Sequence, residues 1–168
     1  MTSEKAELLG ELLKEMTREG EFIPKEVWLP LQDAVVTSWV ELAVPKKTDQ
    51  GWKLLLTYRK DENWDGWHIP GGMWKVQYPT FQEICNAVAK RELGTEVEYL
   101  RNIYTVKWTK HPFAHPLAIV CVCKAKGGIL ETEAIKFFTR KEVPPDIVNG
   151  YHREYIDVIF NDLEKRGF

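Results

Sequence analysis

The chain has 168 residues, 44% of them hydrophobic and 29% charged, which suits one domain with a sizeable core and excludes a largely disordered chain. The formal net charge is −2, from 23 Lys and Arg against 25 Asp and Glu, and no basic block marks a nucleic-acid or membrane-surface binder. No apolar run approaches bilayer-spanning length, and Cys85, Cys121 and Cys123 lack a second cysteine pair or a histidine at zinc spacing, so a reduced, cytoplasmic setting is expected.

The first segment predicts an amphipathic helix rather than a signal peptide. Ala6, Leu9, Leu13 and Met16 recur at helical spacing, with Leu8 and Leu12 beside them, and Gly20 would end it. Phe22 to Leu31 contains Pro24 and Pro30 and reads as an irregular connection. Residues 1–32 thus form an arm, a flap or homodimerisation element, ahead of a domain over 33–168. Val35 to Val44 and Trp52 to Lys60 are apolar, β-branched runs around a polar turn and predict a hairpin. A charged loop, Lys60 to Gly66, leads into Trp67 to Gly72. A helix over Thr80 to Leu93 follows, then strands over Val97 to Trp108, Leu117 to Ala125 and Ala134 to Thr139. The chain closes with a helix over Val148 to Lys165. This order predicts an α+β fold with a mixed sheet, not a doubly wound parallel one.

Residues 69 to 94, IPGGMWKVQYPTFQEICNAVAKRELG, carry most of the functional information. Gly71-Gly72 after Pro70 gives a bend whose backbone can approach a ligand closely, or simply a turn. Thr80 and Glu83 match a capping box, the alternative to a catalytic reading of Glu83. Phe81, Ile84, Cys85, Val88 and Ala89 form one apolar stripe. Glu92, four residues after Val88, falls on that stripe. An inward-facing carboxylate needs a partner: Arg59, a backbone N–H or a metal ion would serve.

This segment resembles the Nudix box: a glycine, five residues, a glutamate, seven residues, then Arg-Glu-apolar-x-Glu-Glu-x-Gly-apolar. The flanking features agree in order: Tyr58-Arg59 before W-x-I-P-G-G, Glu92-Leu93-Gly94 at a helix end, Phe137-Phe138, Lys141-Glu142-Val143-Pro144 and a last helix. The resemblance covers roughly residues 33 to 165. It implies a Nudix-type α/β/α sandwich with a mixed β-sheet. The box is reduced. Aligned on Gly94, the family's arginine falls at Ala87, its next glutamate at Val88, its paired glutamates at Arg91 and Glu92, and its first glutamate near Pro79. A multi-metal diphosphatase of the usual kind is not expected. The pattern is most similar to the GDP-mannose mannosyl hydrolases, which cleave a sugar C–O bond with one Mg²⁺. That resemblance implies Gly71, Glu92 and Glu131 as Mg²⁺ ligands, and Arg59 as a diphosphate contact.

A single hard cation would stabilise a nucleoside diphosphate as leaving group. Gly72 adds close backbone approach, and Trp64, in the charged loop, offers a face for a nucleobase. Glu92 is a catalytic candidate, with His111 and His115 of KHPFAHP as candidate general bases. His68 lies on the opposite strand face from Trp67 and Ile69 and is not counted as a ligand. Two functions follow: a Mg²⁺-dependent hydrolase of a nucleotide-sugar, or a catalytically inactive Nudix-fold module that binds a nucleotide or a partner.

Overall fold

The computed structural model describes residues 2–18, 24–109, 114–145, 147 and 150–168. The elements, in chain order, are α1 (Ser3–Arg18), α2 (Lys25–Ala34), β1 (Val36–Ala43), β2 (Pro45–Thr48), β3 (Gly51–Lys60), β4 (Asp65–His68), β5 (Gly71–Met73), α3 (Phe81–Leu93), β6 (Val97–Lys107), β7 (His115–Ala125), β8 (Ile135–Thr139) and α4 (Gly150–Arg166). One sheet runs β5-β1-β7-β6 and the other runs β2-β3-β4, with β8 paired to β3. Among the described residues only the β1–β7 pairing is parallel, so the fold is α+β with a mixed sheet, as the sequence predicts.

Period-two alternation explains how three strands serve two helices. Val40, Leu42 and Val44, with Leu55, Cys121 and Cys123, pack with Ile84, Cys85, Val88 and Ala89 of α3. Their neighbours Ala43, Leu54, Leu56, Val120 and Val122 pack with Tyr155, Ile156, Ile159, Phe160 and Leu163 of α4. Helices thus cover opposite faces of the β layer. The apolar stripe read from α3 is the buried one, and Thr80 and Glu83 form the reciprocal capping box. All three cysteines are buried and free. No helix among the described residues is long and apolar enough to cross a membrane.

Two expectations are corrected. The connection across Phe22 to Leu31 is helical from Lys25 onward. Pro24 sits at the N-cap, where no helical N–H is lost, and Pro30 is accommodated within the helix. Gln32 of α2 is fully buried and accepts from the Thr37 hydroxyl, which in turn accepts from the Trp39 indole N–H. These bonds seat α2 against β1. The predicted hairpin forms between β2 and β3 instead. β1 joins the other sheet through β5 and β7, because the chain passes between sheets at Val44-Pro45, where proline has no ladder N–H to give.

Candidate active site

The site begins with register. Glu41 of β1 lies opposite Gly71 of β5. Glu41 is 2% exposed, and its Oε2 lies against the Gly71 Cα, where a Cβ would otherwise stand. Burial pushes the Glu41 carboxyl well above the usual carboxylate range, and the nearby Glu92 charge pushes it the same way. Glu92 comes from the last turn of α3. A carboxylate there opposes the helix dipole, whereas Arg91 beside it complements the dipole. Arg91 Nη2 donates to Glu92 Oε1 and to the Gly71 carbonyl, both at 2.7 Å. Gly72 makes room for this contact: a Cβ there would stand 2.7 Å from Arg91 Nη2. Neither glycine has a positive φ, so both positions require absence of a side chain rather than left-handed backbone.

Gly71, Gly72, Arg91 and Glu92 border a cavity of about 660 Å³, within the size range of small-molecule sites, and Glu41 is packed behind Gly71 rather than in the lining. Arg59, Lys75 and Arg91 bring positive charge to its wall, and Trp28, Trp39 and Tyr58 bring aromatic faces. Arg59 is paired through Nε with Asp61, whose carboxylate also accepts from the Asn63 and Trp64 amides; this fixes the loop after β3. His68 also lines the cavity. Its Nδ1 lies 2.8 Å from the Ile69 carbonyl, which can only accept. Nε2 is therefore the acceptor for the Thr57 hydroxyl at 3.0 Å. Burial lowers the His68 pKa, favouring this neutral ring.

Of the residues proposed from sequence, Arg59, Gly71, Gly72 and Glu92 border this one cavity. Trp64 instead packs half-buried against the α4-side core. Glu131 is exposed and accepts from the Phe137 amide at 3.2 Å. His115 is exposed at the start of β7, five residues and about 16 Å along the strand from Val120 beside Glu41. His111 lies outside the described residues. Sequence reasoning missed Glu41, whose one signal was a lone charge in Val35 to Val44. From sequence, His68 is not counted as a ligand and Arg91 marks only the loss of a glutamate.

The donor set does not fit Mg²⁺ as the side chains stand. The Gly71 carbonyl and Glu92, two of the implied ligands, both accept from the same guanidinium. The third, Glu131, is engaged with the β8 backbone. Among the described residues no group of three His, Cys, Asp or Glu side chains converges to hold a metal ion.

No protein-family model and no curated protein matches the sequence. Solved structures match the fold. An ADP-ribose pyrophosphatase from Streptococcus suis aligns at 20% identity over 79% of this chain and 93% of its own, with a TM-score of 0.60. The Nudix domain of Shewanella oneidensis NrtR, crystallised with ADP ribose, aligns at 15% identity over 84% and 99%, with a TM-score of 0.63. A UDP-X diphosphatase aligns at 20% identity over 99% and 87%, with a TM-score of 0.58. At these identities the likeness is one of fold, and it agrees with the resemblance in residues 33 to 165: this chain has the fold of the Nudix hydrolases.

Proposed function

We propose that this chain hydrolyses a nucleoside-diphosphate derivative, with nucleotide-sugars as the substrate class. The observation that carries the reading is the Glu92 carboxylate on a cavity walled by Arg59, Arg91 and Lys75, with the buried Glu41 carboxyl packed behind the lining residue Gly71. A buried carboxyl costs stability, and a pair of carboxyl groups in unlike environments is a recurrent acid–base arrangement. The fold neighbours named for ADP-ribose and UDP-linked compounds support the diphosphate part. The Pro70-Gly71-Gly72 and Glu92-Leu93-Gly94 pattern, similar to the GDP-mannose mannosyl hydrolases, supports cleavage of the sugar C–O bond.

In this reading Arg59 and Arg91 bind diphosphate oxygens and stabilise the charge that develops on the leaving nucleoside diphosphate. An aromatic face from Trp28, Trp39 or Tyr58 takes the nucleobase. Glu92 accepts the proton of the attacking water. Glu41, held towards its neutral form, is the proton-bearing partner. A Mg²⁺ ion, implied by the sequence resemblance, has no step here because its ligand set does not fit.

Steady-state turnover of GDP-mannose and UDP-glucose tests the assignment. Glu92→Gln is expected to lower kcat about 10²- to 10⁴-fold with KM nearly unchanged. Arg59→Ala is expected chiefly to raise KM, by about tenfold. Wild-type kcat in Glu92→Gln would end the assignment. A second reading, nucleotide binding without turnover, is favoured by Arg91 standing where the family's box has a glutamate. Tight binding with no product would select it.

The same proposal places the chain in the cytoplasm, where three free thiols suit the reducing conditions. It also includes a homodimer through α1, whose Leu8, Leu9 and Leu12 are exposed. Light scattering is expected to give a two-chain mass for the wild type and a one-chain mass for the Leu8→Glu, Leu12→Glu variant. A one-chain mass for the wild type removes the dimer.

A further inference from the structure

We infer that Arg91 is a resident cation of this site, standing between the Gly71 carbonyl and Glu92 and binding the substrate's diphosphate without a divalent ion. The inference rests on the diphosphate reading above and deepens it. Three observations carry it. First, one guanidinium nitrogen makes both 2.7 Å bonds, to Gly71 O and to Glu92 Oε1. These are the two oxygens that the sequence resemblance assigns to Mg²⁺, so a single positive charge already answers both. Second, the backbone is shaped for it. Gly72 leaves the space that the guanidinium fills, with a hypothetical Cβ 2.7 Å from Nη2 and 3.2 Å from Nη1. The Gly-Gly step thus receives the chain's own side chains: the Glu41 carboxyl at Gly71 and the Arg91 guanidinium at Gly72. Third, Arg91 is anchored but not covered. Its side chain is 58% exposed, against 19% for Glu92, and it borders the cavity with Arg59 and Lys75.

The chemistry suits the role. A guanidinium stays charged at any working pH and presents five N–H donors in a planar fork. Nη2 holds the Gly71 carbonyl and Glu92, while Nη1 and Nε carry the other three N–H groups. A fork of that kind matches phosphate oxygens. Charge balance demands such a group, because Glu92 and a diphosphate are both anionic and would repel one another without a cation between them.

Calorimetric titration with ADP-ribose, in EDTA and in Mg²⁺, tests the inference beside titration with Mn²⁺ followed by electron paramagnetic resonance. The wild type is expected to bind ADP-ribose equally in both buffers and to leave Mn²⁺ free. Arg91→Ala is expected to weaken ADP-ribose binding about ten- to a hundredfold in EDTA, with Arg91→Lys intermediate. Arg91→Glu is expected to bind Mn²⁺, because it sets a carboxylate beside Glu92 and frees the Gly71 carbonyl. ADP-ribose binding that requires Mg²⁺, Mn²⁺ binding by the wild type, or unchanged affinity in Arg91→Ala overturns the inference and leaves the diphosphate reading standing. No binding of ADP-ribose, GDP-mannose or UDP-glucose in either buffer overturns both.

Discussion

Glu41→Gln is expected to lower turnover about 10²- to 10⁴-fold and to gain stability relative to the wild type as pH rises above 4.5. The two effects share a cause. The folded-state pKa of Glu41 lies well above 4.5, chiefly because the group is buried. Above pH 4.5 the unfolded chain releases this proton more readily than the folded one. Wild-type stability therefore carries a penalty that grows as pH rises towards the folded-state pKa. Glutamine has no proton to lose and escapes the penalty. Burying an amide instead of an acid adds an offset, but that offset does not vary with pH. The difference in Tm between Glu41→Gln and wild type should therefore widen from pH 4.5 to pH 8. A constant difference would mean that Glu41 does not titrate from a buried, disfavoured state. Full turnover in the variant would remove it from the proposed mechanism.

Gly71→Ala is expected to destabilise the fold by about 1–3 kcal/mol, as overpacking of a closed site does. The added Cβ would stand 2.8 Å from the Val40 carbonyl and against the Glu41 carboxyl. Val40 O belongs to the β1 backbone and cannot yield without moving the strand. Gly72→Ala is the control. The three atoms nearest its Cβ all belong to the end of the Arg91 side chain, which can swing away, so stability should stay within about 0.5 kcal/mol of wild type. Urea denaturation measures both. Equal midpoints for the two variants would show that neither glycine is held by the collisions described.

The fold was legible wherever local chemistry and burial point the same way. α3 carries both signals, a capping box at Thr80 and Glu83 and a stripe ending at Ala89, and its bounds were read to within one residue. α2 was not legible, because two prolines outweigh helical spacing in a ten-residue segment, although a proline at the N-cap costs the helix nothing. Partner choice in the sheets was equally hidden. The run Val35 to Val44 announces a strand but not which sheet it joins, and only the tertiary fold places it between β5 and β7.

The site divides along the same line. Glu92 could be found because it breaks an apolar periodicity. Glu41 breaks one too, but alternation along a strand gives the side it faces, not whether that side meets a core or a cavity. Arg91 lies one residue from Glu92 yet binds a carbonyl 20 residues earlier. Sequence shows such a residue as the loss of a carboxylate. Only the fold shows that the replacement brings a positive charge to the same atoms. The candidate bases His111 and His115 rested on residue type and flanking prolines, signals that carry no direction.

Product analysis most directly tests whether this cavity is hydrolytic. GDP-mannose, UDP-glucose and ADP-glucose would be incubated with the wild type and with Glu92→Gln, and the products separated by anion-exchange chromatography. The wild type is expected to release nucleoside diphosphate and free sugar, and the variant to release neither. Intact substrate throughout, or equal release by both proteins, would contradict the hydrolytic assignment.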